Sequence, residues 1–114
     1  MEEKRKSKRM VLEGNLIMKR LDSAAGEIIP VKINDISHSG IGFVCDKNLE
    51  ISSVYDLEII LWTKEKINAI VSLVRKAETP GTYGTYTYGG TFVGLPETET
   101  CKIDIYELFN ENEE

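Results

Sequence analysis

The sequence predicts an all-β domain, a six-stranded antiparallel β-barrel with one C-terminal α-helix. Apolar and polar residues alternate in six short segments separated by turn-forming residues, which is the period of half-buried strands. Only the last segment has helical spacing. Because closure of a sheet removes its exposed edges, a small closed barrel is favoured, with a closed sandwich as the alternative. At 114 residues the chain suffices for one core but not for two.

The first predicted strand shows the alternation directly, since Met10, Leu12, Leu16 and Met18 share one parity. Pro30 in the second strand indicates a sheet edge or a bulge, because proline cannot donate a ladder hydrogen bond. The fifth segment is rich in Ile and Val, which favours a strand over the helix that its length also permits. The predicted strands are residues 10–21, 28–37, 40–46, 54–62, 66–78 and 82–95.

The C-terminal segment predicts a helix over about residues 97–111. It follows Pro96, has acidic residues in its first turn, and carries Cys101, Ile105, Leu108 and Phe109 at helical spacing. The predicted barrel with its helix therefore spans residues 10–114. Residues 1–9 lie outside it, and we expect them to form a flexible basic arm.

Positive charge is concentrated in that arm. Residues 1–9 contain five Lys or Arg and two Glu, whereas the rest of the chain contains nine Lys or Arg and seventeen Asp or Glu. General nucleic-acid binding requires a broad basic face, so the acidic body argues against it. A small polyanion held by a short basic arm is compatible with this distribution.

Other classes of protein are disfavoured by what the sequence contains. It has no apolar run of membrane-spanning length and no secretory signal pattern, which predicts a cytoplasmic protein without membrane insertion. Two distant cysteines, Cys45 and Cys101, and one histidine, His38, offer few metal ligands, so we predict no metal site and no cofactor. Both cysteines are interpreted as reduced packing residues.

No catalytic residues are predicted, so the chain is not expected to be an enzyme. Asp35, Ser37 and His38 supply the residue types of a hydrolase triad, but side chains this close on an extended chain point apart. The segment "LPETE" (95–99) is close to a sortase sorting signal, yet Glu99 stands in place of the required glycine. A helix start explains it better.

Two short motifs point to a family. "RKSKR" (5–9) fits RxxxR, and "DISHSG" (35–40) fits (D/N)xSxxG in a turn between two apolar strands. The C-terminal "GGTFVGLPETETCKIDIYELF" has a glycine and a phenylalanine in a last strand that runs into a helix. In this order, and in a β-rich chain of one domain, the motifs resemble those of the PilZ domain over nearly the whole length.

The resemblance implies a receptor for the bacterial second messenger cyclic di-GMP. Arg5 and Arg9 would each engage the O6 and N7 acceptors of a guanine or stack on the base. Asp35 would accept hydrogen bonds from guanine N1 and N2, Ser37 would donate to a phosphate or fix the turn, and Gly40 would let the backbone approach the ligand. Peripheral contacts are expected from Lys4, Lys8, Ser39, Gly42 and Gly90.

In this interpretation the arm becomes ordered over the bound nucleotide, and a downstream protein partner reads the new surface. Two alternatives stay open. One is a PilZ-like adaptor that binds a protein and no nucleotide. The other is a small barrel that stacks single-stranded nucleic acid on Tyr83, Tyr86 and Tyr88.

Overall fold

Six antiparallel strands close into a barrel in the order β1-β2-β3-β6-β5-β4, which confirms the predicted fold class. A computed structural model of the chain describes residues 10–23, 26–61, 64–78 and 84–112. The predicted arm, residues 1–9, lies outside the described residues. The strands are β1 (Met10–Arg20), β2 (Ile28–Ile36), β3 (Gly40–Cys45), β4 (Val54–Ile60), β5 (Lys66–Glu78) and β6 (Tyr86–Phe92), followed by the helix α1 (Glu97–Asn112).

The barrel interior is filled by the alternate residues of each strand. On β4, Tyr55, Leu57 and Ile59 are at most 3% exposed, whereas Asp56 and Glu58 between them are exposed. The first strand closes the barrel by pairing with β4, with Met18 opposite Leu57. Burying these side chains is the main favourable contribution to folding, at about 25 cal/mol per Å² of apolar surface.

Pro30 lies where the sheet has a local edge, as its sequence position indicated. It pairs with Ile17 of β1, but the pairing of β2 with β3 begins only at Lys32. The proline therefore sits beyond the end of the β2–β3 ladder, where a missing backbone donor costs little.

Helix α1 lies across the end of the barrel where β1 and β5 begin. Ile103 and Tyr106 are almost fully buried, and the Tyr106 hydroxyl donates a hydrogen bond to the Val11 carbonyl at 3.2 Å. At the other side of the same end, Lys102 donates to the Lys66 carbonyl at 2.7 Å. The helix thus caps this end of the barrel.

The buried face of α1 differs from the one that the sequence spacing indicated. Ile105 and Leu108 are more than half exposed, and Cys101 is exposed as well. The interpretation of Cys101 as a packing residue is therefore wrong, because the helix turns Ile103 and Tyr106 inward instead. Cys45 does pack in the core, and burial raises the pKa of its thiol.

Within the described residues, the length and hydropathy needed to cross a membrane are not met by any helix.

Candidate ligand-binding site

Four residues on four neighbouring strands form a row across the outside of the barrel. Asp35 on β2 pairs with Gly42 on β3, Gly42 pairs with Gly89 on β6, and Gly89 pairs with Arg75 on β5. We call these four residues the glycine row. Its middle has no side chains, and its two ends carry opposite charges.

On the outer surface, the Asp35 side chain extends over Gly42 and the Arg75 side chain extends over Gly89. A Cβ atom on Gly42 would lie 2.9 Å from Asp35 Oδ1, and one on Gly89 would lie 2.6 Å from the Arg75 guanidinium carbon. These spaces are too small for a methyl group beside the present side chains. Glycine at both positions therefore lets a carboxylate and a guanidinium face each other across two bare strands.

Bulges turn both charged residues to the outside. Along β2, Ile29, Val31 and Ile33 are buried, so strict alternation would point Asp35 into the core. Ile33 pairs with Phe43 and Asp35 pairs with Gly42, so β2 advances two residues where β3 advances one. This bulge shifts the register by one residue. Asp35 is thereby half-buried on the outer surface, as expected where a bulge re-aims a side chain.

A second bulge does the same on β5. Leu73 is fully buried, yet the register shifts between Leu73 and Arg75 against Gly90 and Gly89 of β6. Arg75 is exposed and makes no hydrogen bond or ion pair with another residue in the described part of the chain. Its guanidinium is thus available to a ligand as far as those residues are concerned.

The glycine row forms the floor of a groove of about 640 Å³. Asn34 and Asp35 line it from β2, Thr87 from β6, and Arg75 and Lys76 from β5. Lys76 contacts the side-chain oxygen of Asn48 and lies 5.3 Å above the Tyr86 ring. A groove of this volume lies within the ordinary range of small-molecule sites. Its polar groups include both a carboxylate acceptor and cationic donors.

The turn between β2 and β3 begins two residues after Asp35 and is held firmly. The Ser37 amide donates to the Gly40 carbonyl at 2.9 Å, and the Ser37 and Ser39 hydroxyl oxygens are 3.3 Å apart. The Ser39 carbonyl accepts hydrogen bonds from the Phe92 amide and the Thr91 hydroxyl at 2.8 and 3.1 Å. The turn is therefore fixed to β6 as well as to its own strands.

The three glycines that were predicted near the ligand, Gly40, Gly42 and Gly90, have different surroundings. A Cβ on Gly40 would collide with the Gly90 backbone, so β3 and β6 could not approach as they do. A Cβ on Gly90 would lie 2.6 Å from the buried Val71 side chain, which places that face of Gly90 toward the interior. Of these glycines, only Gly42 faces the groove.

The fold brings Asp35, Gly42, Ser37 and Ser39 to one side of the barrel, whereas Lys4, Arg5, Lys8 and Arg9 lie outside the described residues. Sequence reasoning missed Arg75 and Gly89. On β5, Arg75 has the same parity as the buried residues 67, 69, 71 and 73, so simple alternation would point it into the barrel. The adjacent "GG" at 89–90 was the one available hint that the opposing strand approaches closely.

His38 and Ser37 are engaged with different residues. The His38 Nε2 atom contacts Asp104 of α1, while the Ser37 hydroxyl contacts Ser39. The residue types of a hydrolase triad are present, but these two side chains are not joined to each other.

No protein-family model matches this sequence, and no curated protein matches it either. Solved structures do. The structure of the Bacillus subtilis inhibitor of motility, MotI/DgrA, superposes with a TM-score of 0.75 at 15% identity, over 99% of this chain and 53% of that one. Escherichia coli YcgR in complex with c-di-GMP gives a TM-score of 0.74 at 14% identity, over 96% of this chain and 46% of that one.

An isolated domain fits over nearly its whole length. The PilZ domain of Escherichia coli YcgR with c-di-GMP superposes with a TM-score of 0.71 at 14% identity, over 97% of this chain and 94% of that one. The chain spans about half the length of the MotI/DgrA and YcgR structures above.

This barrel with its terminal helix therefore has the PilZ fold. The resemblance predicted from the two motifs is confirmed at the level of the fold.

Proposed function

We propose that this chain binds cyclic di-GMP in the groove above the glycine row. The observation that carries the proposal is the row itself: a carboxylate and a guanidinium face each other across Gly42 and Gly89. It lies on the fold of a PilZ domain solved with c-di-GMP, and beside the DxSxxG turn.

Asp35 would recognise guanine. Guanine N1 and N2 are adjacent donors, and a carboxylate is the side chain that accepts from both. The opposite edge offers O6 and N7 as acceptors, which a planar guanidinium engages with two parallel hydrogen bonds. We assign that edge to Arg5 and Arg9 of the arm, with Lys4 and Lys8 adding attraction for the phosphates.

Arg75 would hold a phosphate at the far end of the row. It is exposed, it lies above Gly89, and Lys76 lines the same groove. Charge-assisted hydrogen bonds from a guanidinium to phosphate oxygens are roughly twice as strong as neutral ones. A third arginine on a rigid strand would hold the ligand before the arm closes over it.

Ser37, Gly40 and Ser39 would act through the turn. The turn is fixed to β6. Ser37 is 9% exposed and its hydroxyl contacts that of Ser39, so it would act mainly by fixing the turn beside Asp35. In this mechanism the arm becomes ordered on binding, a partner protein reads the change, and nothing is turned over. The chain would act as a non-enzymatic receptor.

The alternatives differ in what the groove does. An adaptor without nucleotide affinity has the same fold, and only binding measurements separate it from a receptor. Stacking of single-stranded nucleic acid is disfavoured by Tyr88, which is 1% exposed and whose hydroxyl bonds to Lys47 and Leu49. Tyr83 lies outside the described residues, and Tyr86 is half-buried beneath Lys76.

Calorimetric titration with cyclic di-GMP tests the proposal. We expect saturable binding in the micromolar range or tighter, and a loss of about 1 to 3 kcal/mol or more in each of Asp35→Ala, Arg75→Ala and Arg9→Ala. Lys66→Ala is the matched control, since Lys66 is an exposed cation at the opposite end of the strand that carries Arg75. It should bind like the wild type.

Two results would contradict different parts of the proposal. Absence of binding by the folded wild-type chain would contradict the receptor function and favour an adaptor that binds no nucleotide. Normal binding by both Asp35→Ala and Arg75→Ala would place the ligand elsewhere. An oligonucleotide that competes with cyclic di-GMP would favour the single-strand alternative instead.

A further inference from the structure

We propose that His38, Asp104 and Glu107 form a binding site for a divalent first-row transition metal ion, of which Zn²⁺ is the best match. One nitrogen of His38 and one carboxylate oxygen of each acid all lie within 4.8 Å of one another. The three residues come from the β2–β3 turn and from helix α1, which are more than sixty residues apart in the chain. The proposal does not depend on nucleotide binding, and it departs from the expectation of no metal site that the few cysteines and histidines suggested.

The distances suit one ion. Zn²⁺ binds imidazole nitrogen and carboxylate oxygen at about 2.0 to 2.2 Å in tetrahedral geometry, so two ligand atoms on one ion are about 3.3 to 3.6 Å apart. Asp104 is exposed and Glu107 is half-buried on α1, so their carboxylates can move by the ångström or so that tetrahedral binding requires. His38 Nε2 contacts Asp104 Oδ1 directly, and this contact would open to admit the ion.

The backbones that carry the ligands are well fixed. The turn is held by the hydrogen bonds of Ser39 with β6. On the helix, Ile103 and Tyr106 each precede one of the two acids and are almost fully buried. Asp104 and Glu107 are three residues apart, so they lie on the same helix face.

Charge favours a cation between these groups. The two carboxylates repel each other, and a neutral imidazole can donate only one hydrogen bond. In the described part of the chain, no Lys or Arg pairs with either acid; Lys102 pairs with Glu99 instead. A divalent ion would satisfy both carboxylates and the imidazole together.

The donor set indicates the kind of ion. Imidazole with carboxylates suits Zn²⁺ and its first-row neighbours, whereas Mg²⁺ and Ca²⁺ prefer oxygen ligands alone. The His38 and Asp104 side chains are 37% and 50% exposed, so water can complete the coordination. A bound ion would join the turn that carries Ser37 and Gly40 to the capping helix.

The test is titration of the full chain with ZnCl₂ and CoCl₂, after complete removal of any histidine tag. We expect one-to-one binding, visible absorption bands for Co²⁺, and a higher midpoint of thermal unfolding with Zn²⁺. His38→Ala, Asp104→Asn and Glu107→Gln should each weaken binding by about 10- to 100-fold or more, since even outer partners of metal ligands contribute that much.

Glu97→Gln is the matched control, because Glu97 is an exposed acid on the same helix outside the cluster. It should bind the ions normally. Asp104→Asn replaces a half-exposed carboxylate by an amide of the same shape, so it gives a folded test even if His38→Ala is destabilised. The proposal is overturned if the wild type shows no saturable binding, or if His38→Ala and Asp104→Asn bind as the wild type does. The first result would leave only an imidazole–carboxylate contact.

Discussion

Gly42 is the residue on which the geometry of the proposed nucleotide site depends most directly. Its missing side chain leaves room for the Asp35 carboxylate, whose oxygens would lie 2.9 and 3.0 Å from a Cβ there. The carboxylate is therefore positioned as much by the absence of a methyl group on β3 as by its own strand.

Gly42→Ala should lower affinity for cyclic di-GMP while leaving the fold intact. The new methyl group displaces the Asp35 side chain, so we expect a loss of about 1 to 3 kcal/mol of binding free energy. The free energy of unfolding should change by less than about 1 kcal/mol. Calorimetric titration and urea unfolding measure the two quantities.

Gly14→Ala is the matched control. A Cβ on Gly14 would have no atom within 4 Å, so neither quantity should change appreciably. Unaltered affinity in Gly42→Ala would mean that Asp35 does not contact the ligand from its present position.

The buried hydroxyl of Tyr88 should make the free energy of unfolding depend on pH. Its hydroxyl donates to the Lys47 carbonyl and accepts from the Leu49 amide, both at 2.7 Å, and burial raises its pKa above 10. The folded state thus keeps the phenol proton after the unfolded chain has lost it. This contribution to stability is complete below about pH 10 and is lost as the pH rises through the raised pKa.

Tyr88→Phe should be less stable at neutral pH and less sensitive to alkali. Loss of the acceptor for the Leu49 amide costs about 1 to 3 kcal/mol. Urea unfolding at pH 8 and pH 10.5 measures both effects. Lysine side chains also titrate in this range, but they do so in both proteins and therefore cancel in the comparison. The same decrease between the two pH values in wild type and variant would refute the assignment to Tyr88.

At the scale of elements, the strands could be predicted and the bulges could not. Alternation located six strands and correctly identified the buried face of β4 through Tyr55, Leu57 and Ile59. The final strand was predicted too long, since β6 covers only Tyr86–Phe92. A bulge depends on the register of two strands far apart in sequence, and neither strand encodes that register alone. Arg75 was missed for this reason.

The helix illustrates the same limit. Its position follows from local signals, namely Pro96 and the acids of its first turn. Which side it buries is decided by contacts with the barrel, and these selected Ile103 and Tyr106 over Ile105 and Leu108.

Ile103→Ala and Ile105→Ala provide a matched pair on this helix. Ile103 is fully buried and Ile105 is 51% exposed. We expect the first change to lower the free energy of unfolding by about 2 to 4 kcal/mol and the second by less than about 0.5 kcal/mol. Equal effects in thermal or urea unfolding would contradict the described docking of α1.

For the whole molecule, the distribution of charge fits a ligand smaller than a nucleic acid. The barrel and helix carry a net negative charge, and Arg75 in the glycine row and Lys76 next to it are local exceptions. The arm adds five cations outside the described residues. Cationic side chains in the same groove as a carboxylate suit a ligand with phosphates and guanines.

The central claim is that a ligand lies on the glycine row, and amide NMR spectra of the full chain during titration with cyclic di-GMP test it most directly. The account predicts that the amide signals of Asp35, Gly42, Gly89 and Arg75 shift together and saturate, while those of Met18 and Leu57, at the β1–β4 seam, stay unchanged. Shifts confined to other strands, or none at saturating nucleotide, would contradict it.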